Sequence, residues 1–204
     1  STMRNCVMDR HYTQVKLQQL VKSYSDRKCK IYLLHGDLSD NEMCALYKHP
    51  KIKGLLSLTH GEGFGLPLFE AACNGLPVLA PDWSGQVDFL YGKVKAKNGK
   101  LRTKALYTKL NFKLGQVPPE AVWDGVIQAN SQWCYVDEDD CKNKLKMFHK
   151  GYSNAVGKAK KLQAYIKTEF APDKKHAEFV EQILLSAPEA KAATVPTSDV
   201  MVFD

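Results

Sequence analysis

Two glutamates on either side of a glycine-rich turn are the residues best placed to do chemistry in this chain. Glu62 and Glu70 are separated by seven residues that begin with Gly63-Phe64-Gly65-Leu66. Carboxylates accept hydrogen bonds from hydroxyl groups, whereas backbone amides at a helix N-terminus bind phosphate. The pattern favours a ligand with phosphate in its middle and hydroxylated rings at both ends, as in a nucleotide sugar. An ordinary turn with both glutamates solvated remains the alternative, because isolated glycine-rich turns are weak signals.

A strand, a tight turn and a helix must position these two acids. The strand is predicted over 51–59, and its core at 54–58 is too apolar to alternate, which is typical of a parallel strand buried on both faces. Pro67 is expected to open the helix and Gly75 to close it, since these residue types suit the first turn and the position past the end. A helix rises about 1.5 Å per residue, so Glu70 would lie only about 5 Å beyond the helix start.

The segment Glu62–Val78, EGFGLPLFEAACNGLPV, resembles almost residue for residue the Glu-x7-Glu signature of retaining GT-B glycosyltransferases. A looser similarity extends over 32–89. The resemblance implies an α/β fold, with a Rossmann-like parallel sheet, helices on both faces and C-terminal helices, that forms one half of a GT-B enzyme. It also implies sugar transfer from a UDP-, GDP- or ADP-sugar with retention of configuration, with no cofactor and no obligatory metal.

The same resemblance implies a role for each residue of the motif. Glu62 would be the catalytic residue that meets the donor sugar near the reacting centre, and Glu70 would hold the ribose hydroxyls. The loop amides would bind sugar hydroxyls or phosphate; they belong to Gly63, Phe64, Gly65 and Leu66. The nucleotide base would lie beside Gly36, Asp37 and Leu38, which follow a predicted strand over 30–34, although these residues also suit a plain strand-to-helix turn.

Three other positions are candidates for the site. The first strand of the resembling domains, which ends in a basic residue near the diphosphate, is expected to be missing here, and Arg4 is either that residue or an exposed arginine at a frayed terminus. We expect His60, at a strand end, to be a structural hydrogen-bond donor and not a catalyst. Asp88 follows Ser84-Gly85 where relatives have a glutamate, and it either contacts the ligand or caps the next helix.

Helix signals organise most of the remaining chain. A helix with an apolar face is predicted over 9–24, and Ser39 with Glu42 predicts a capped helix over 40–48. An acidic cluster at 137–140 marks the start of helices over 138–150, 153–170 and 173–185. The donor-binding domain would thus span 1–185, with a hairpin-like basic insertion at 91–136 and a tail at 186–204.

The segment 93–113 carries eight Lys or Arg residues and no acid. From Lys93 to Lys97, lysines alternate with apolar residues, as in edge strands whose charged side chains prevent pairing with another chain. Asn98-Gly99 is a hairpin turn signal. The hairpin is either simply solvated or a basic lip for an anionic acceptor, such as a lipid phosphate or an acidic polysaccharide. Nucleic acid is not expected, because no recognition motif accompanies the charges.

Composition is consistent with a cytoplasmic enzyme domain. Peripheral contact with an anionic membrane is an alternative that the positive charge leaves open. The 204 residues carry a net charge of +7, no apolar run long enough to span a bilayer and no recognisable signal peptide. Six cysteines without a C-x-x-C pair read as reduced, mostly buried thiols. Expected partners are a donor, a glycan, lipid or protein acceptor, and a missing N-terminal GT-B domain. The alternative functions are a donor-binding-only domain or a basic module for anionic surfaces or nucleic acid.

Overall fold

The computed structural model describes residues 7–95 and 98–186, which form a mixed α/β fold with a small parallel sheet and C-terminal helices. Arg4, Lys97 and the predicted tail beyond residue 186 lie outside the described residues. The chain divides into two units, 1–52 and 53–204. In chain order the elements are α1 Val7–Lys22, α2 Asp40–Lys48, β1 Leu55–Leu56, α3 Leu66–Cys73, β2 Val78–Pro81, α4 Val87–Leu90, β3 Tyr91–Lys95, β4 Leu101–Ala105, β5 Thr108–Leu110, β6 Phe112–Gln116, β7 Gln132–Val136, α5 Glu138–Lys150, α6 Tyr152–Glu169 and α7 Pro172–Ser186.

In the first unit, helix α2 begins as its capping box predicts. The Ser39 hydroxyl accepts a hydrogen bond from the Glu42 amide, and the Ser39 amide donates to Glu42 Oε2 at 2.8 Å. Helix α1 is also confirmed to within two residues, but its apolar side chains, such as Tyr12 and Leu20, are exposed. At about 100° per residue they spread around most of the helix, so α1 has no single stripe to bury.

The predicted strand over 30–34 is wrong, because this segment is irregular and Tyr32 is 82% exposed. Its apolar and aromatic residues favour an extended chain, but a strand also needs the ladder hydrogen bonds of a neighbour. No other segment of the described chain pairs with it.

The second unit is built on a parallel sheet with strand order β1-β2-β5. Strand β2 is buried throughout, as expected for a central parallel strand. Strand β1 lies at the edge of this sheet, and Leu56 is 39% exposed while Leu58 is also exposed. The prediction that both faces of this strand are buried is therefore wrong, since the face that carries Leu56 and Leu58 is only partly covered.

The basic segment forms the predicted antiparallel hairpin. Strand β3 pairs with β4, and Gly99 in the turn has a left-handed backbone with φ of 78°. The chain then contributes β5 to the parallel sheet, and β6 and β7 form a second antiparallel pair. The range 91–136 thus combines two hairpins with one strand of the core sheet.

The three C-terminal helices agree with their predicted bounds to within one or two residues. The Asp137 carboxylate caps α5 by accepting a hydrogen bond from the Asp140 amide at 2.9 Å. Helix α6 packs on α3, where Gln163 Nε2 donates to the Cys73 carbonyl at 2.8 Å. No helix within the described ranges combines the length and apolar character needed to cross a bilayer.

The cysteines are less buried than predicted. Cys134 and Cys141 are buried, but Cys44 and Cys73 are half-buried and Cys29 is exposed. Cys29 lies in the irregular segment after α1, where no packed element covers it. None of these five described cysteines forms a disulfide.

Asp82, directly after β2, binds three side chains: Tyr91 at the start of β3, Tyr107 just before β5, and Lys109 in β5. Its carboxylate accepts hydrogen bonds from Tyr107 Oη at 2.6 Å, Tyr91 Oη at 2.7 Å and Lys109 Nζ at 2.7 Å. Partial burial alone would raise the pKa of Asp82, but the hydrogen bonds from Lys109, Tyr107 and Tyr91 outweigh it and lower the pKa. The network fastens the hairpin and β5 to the end of β2.

We expect Asp82→Ala to lower the free energy of unfolding by about 1–3 kcal/mol, because the Tyr107 hydroxyl, on a side chain only 2% exposed, loses its acceptor. Urea unfolding at neutral pH measures this effect, with Asp124→Ala, at an exposed turn position, as the matched control. Since folding lowers the pKa of Asp82, its stabilisation is complete above the unfolded value of about 3.9 and is lost as the pH falls through the folded value. The difference between wild type and Asp82→Asn should therefore shrink in acid; equal unfolding energies of the two alanine variants would contradict the role of the network.

Candidate functional site

The turn between β1 and α3 has the predicted form. Helix α3 starts at Leu66 with Pro67 in its first turn, and Gly75, with φ of 75°, follows its end. Gly65 has φ of 89°, a left-handed conformation that favours glycine. A Cβ on Gly65 would also lie 3.2 Å from Cβ of the buried Gln86, so this turn requires glycine for two reasons.

The segment after β2 holds the backbone of Glu62 in place. The Ser84 hydroxyl donates to the Glu62 carbonyl at 2.6 Å and accepts from the Glu62 amide at 3.1 Å. The Gly85 amide also donates to the Glu62 carbonyl, at 3.1 Å. A Cβ on Gly85 would overlap the Gly63 carbonyl oxygen, so the two segments touch backbone to backbone. We call these contacts the Ser84–Gly85 clamp.

Phe64 fixes the other side of the turn through its ring. The ring lies 5.0 Å from that of Phe89, which is fully buried, and 5.2 Å from that of Phe69. With the Phe64 side chain in this aromatic cluster, the exposed residues of the loop are Gly63 and Leu66, and Leu66 is 61% exposed. Within the described ranges, no hydrogen-bond acceptor meets the amides of four residues, Gly63, Phe64, Gly65 and Leu66. These amides lie at the N-terminal, positive end of the α3 dipole.

The two glutamates belong to this one strand, turn and helix unit. Glu62 is half-buried, and its Cβ lies 3.7 Å from the position that a Cβ on Gly65 would take. Glu70 is the fifth residue of α3, about 6 Å along the axis from its first residue, and is exposed. Their roles toward a ligand stay predictions.

His60 connects the turn to β7. Its Nδ1 donates to the Cys134 carbonyl at 2.7 Å, and its own carbonyl accepts from the Cys134 amide at 3.1 Å. Its ring stacks on that of Trp133, with centroids 4.5 Å apart and planes inclined by 8°, and lies 4.9 Å from the Tyr135 ring. The prediction that His60 is a hydrogen-bonded structural residue is confirmed. Its partners lie more than 70 residues away in sequence, so no local pattern could identify them.

The remaining sequence candidates do not all meet in this unit. Gly36, Asp37 and Leu38 belong to the first unit, where Gly36 has φ of 134° and, like Asp37, is exposed. Asp88 is an exposed residue inside α4, whose N-cap position is Gln86. The alternative that Asp88 caps this helix is therefore wrong, because the cap position lies two residues earlier.

Sequence reasoning missed the supports around the loop. Ser84 and Gly85 appeared in the sequence only as the residues before the candidate Asp88, and Asp82 gave no signal of its network. Gln86, which is fully buried, donates from Nε2 to the Pro81 carbonyl at 3.2 Å, while its Oε1 meets no donor in the part of the chain that the structure describes. No group of three or more His, Cys, Asp or Glu side chains among the described residues is arranged to hold a metal ion.

Comparisons of the chain with protein-family models, with curated proteins and with solved structures gave no match. A functional assignment therefore depends on the residues of this chain and on their geometry. The geometry consists of a glycine turn held between Ser84 and the Phe64 cluster, where the amides of 63–66 meet no acceptor from the residues that the structure describes.

We expect Gly85→Ala to destabilise the protein by about 1–3 kcal/mol, because the added methyl overlaps a backbone carbonyl that no rotamer change can move away. Gly63→Ala is the matched control: its added Cβ meets no atom within 4 Å. Urea unfolding gives the free energies, and hydrogen exchange of the Glu62 amide, which should become faster only in Gly85→Ala, reports on the clamp. Equal behaviour of the two variants would show that the clamp does not hold the loop.

Proposed function

We propose that this chain is the donor-binding half of a retaining GT-B glycosyltransferase, with a Rossmann-like sheet, that takes a nucleoside diphosphate sugar. The observation that carries the proposal is the turn between Glu62 and Glu70, where the amides of residues 63–66 at the start of α3 meet no acceptor within the described ranges. This turn follows the carboxyl end of β1, and open parallel α/β sheets bind their ligands outside the carboxyl ends of their strands.

The donor diphosphate would lie on the amides of residues 63–66. Negative charge grows on the departing diphosphate as the bond to the sugar breaks, and fixed amide dipoles together with the helix N-terminus would stabilise it. Such groups are most effective when they need no reorientation during the reaction. The Ser84–Gly85 clamp and the Phe64 ring supply that rigidity, because they restrain the loop from both sides.

The glutamates would bind the two ends of the donor. Glu70, exposed on α3, would accept hydrogen bonds from the ribose hydroxyls, and Glu62, with its backbone restrained, would orient the sugar at the reacting centre. The sequence candidates at 36–38, for the base, and Arg4, for the diphosphate, stay predictions. Groups that activate the acceptor would come from a second domain.

We expect Glu70→Gln to weaken donor binding about tenfold or more, because hydrogen bonds to a charged acceptor contribute about 1.5–3 kcal/mol and 1.4 kcal/mol corresponds to a factor of ten. Titration calorimetry with UDP-, GDP- and ADP-glucose measures the affinities. Glu120→Gln, which removes an exposed carboxylate from the loop before β7, should bind like wild type. The proposal fails if wild type binds none of the three donors, or if both variants bind alike.

We also expect the isolated chain to transfer little or no sugar, because the walls that orient the acceptor and exclude water would belong to the other domain. Release of nucleoside diphosphate from the bound donor, with and without added acceptor sugars, measures this. Robust turnover by the chain alone would show that it supplies more than the donor-binding half. Tight donor binding without turnover, even beside a complementary domain, would instead indicate a domain that only binds.

A further inference from the structure

The β3–β4 hairpin carries a cluster of cations without acidic partners. The five described members are all exposed, and none lies within ion-pair distance of a carboxylate in the described part of the chain; they are Lys93, Lys95, Lys100, Arg102 and Lys104. We call them the hairpin cations. Some lysines elsewhere do form ion pairs: Lys109, in the next strand, binds Asp82, and Lys144 binds Asp140. The hairpin thus concentrates charge that no ion pair within the described ranges neutralises.

The pairing register distributes these cations over both faces of the ribbon. Lys93 lies opposite Thr103, and Val94 lies opposite Arg102. Because side chains alternate along a strand, Lys93 and Lys95 lie on one face while Arg102 and Lys104 lie on the other. The segment 93–113 contains no acid that could offset them. Lys93 also contributes to lowering the pKa of Glu169, after the larger effect of the hydrogen bond from Lys174 to that carboxylate.

The base of the hairpin is packed, and its far end is exposed. Tyr91 is hydrogen-bonded to Asp82, and a Cβ on Gly92 would meet Leu106 and Tyr165, so β3 begins against the body of the unit. At the far end Leu101 is 66% exposed and pairs across the ribbon with Lys95. An aliphatic side chain between cations therefore lies at the exposed end of an anchored ribbon.

This chemistry favours an anionic bilayer over single-stranded nucleic acid. Leu101 can enter the apolar boundary of a membrane while Lys95, its cross-strand neighbour on the same face, meets a lipid phosphate, the arrangement of peripheral membrane segments. Proteins that bind single-stranded nucleic acid instead add aromatic side chains on which bases stack. The residues described at this end, 98–102, include no aromatic side chain.

We propose that the β3–β4 hairpin docks this protein on the surface of an anionic lipid bilayer. Each Lys or Arg near such a surface strengthens binding about fivefold, and the attraction is confined to about one Debye length. Binding therefore requires anionic lipid and weakens steeply with salt. Leu101 adds an apolar contribution that salt does not screen.

Sedimentation with vesicles of phosphatidylcholine alone, or mixed with phosphatidylglycerol, tests the proposal. Wild type should bind only the mixed vesicles and should lose binding as salt rises. The triple variant Lys95→Gln/Lys100→Gln/Arg102→Gln should bind about a hundredfold more weakly. The matched control Lys146→Gln/Lys150→Gln/Lys161→Gln removes the same charge from exposed positions on α5 and α6 and should lose less than tenfold.

A second variant tests the apolar contribution independently of charge. Leu101→Ser should reduce binding to the mixed vesicles and should leave their salt dependence unchanged. The proposal is overturned if wild type binds both kinds of vesicle alike or neither, if the two triple variants bind alike, or if wild type binds single-stranded DNA but no vesicles. Glu70→Gln should bind vesicles like wild type, so a failed donor assignment would not be confused with a failed docking surface.

Discussion

The contact between Ser84–Gly85 and the backbone of Glu62 is the interaction on which the candidate site depends. It joins the segments that leave two adjacent parallel strands, β1 and β2, and it works without a charged group. One carbonyl, two amides and one hydroxyl meet where Gly85 leaves no room for a side chain. The glycine turn before α3 is thereby held as a rigid surface of amides, which is what an anion-binding site requires.

Aromatic packing complements this polar clamp. Phe64 joins the buried Phe89 below the turn, while His60 continues the same loop toward β7 by stacking on Trp133. The loop is thus restrained at three points: His60, the backbone of Glu62, and Phe64. The function proposed for it would use these restraints, because amides that are already held need no reorientation during a reaction.

The sequence predicted those features that depend on interactions between residues close together in the chain. The capping box of Ser39, the Pro67 and Gly75 signals and the turn at Gly99 each act locally, and each appears where it was expected. The strand at 30–34 failed because propensity cannot supply a neighbouring strand. The partners of His60 and Asp82 could not be predicted, since they come from elements far away in the sequence that only the folded chain brings together.

The five residues after β2 serve two structures at once. Asp82 holds Tyr91 at the root of the hairpin, and two residues later Ser84 holds the glycine turn. The short connection after β2 is therefore hydrogen-bonded both to the hairpin and to the glycine turn, and it fixes the distance between them. A surface that the β3–β4 hairpin contacts would therefore lie at a fixed distance from a molecule bound at the glycine turn. In the proposed function, that fixed distance would limit how far an acceptor group can lie from the surface and still meet the bound donor.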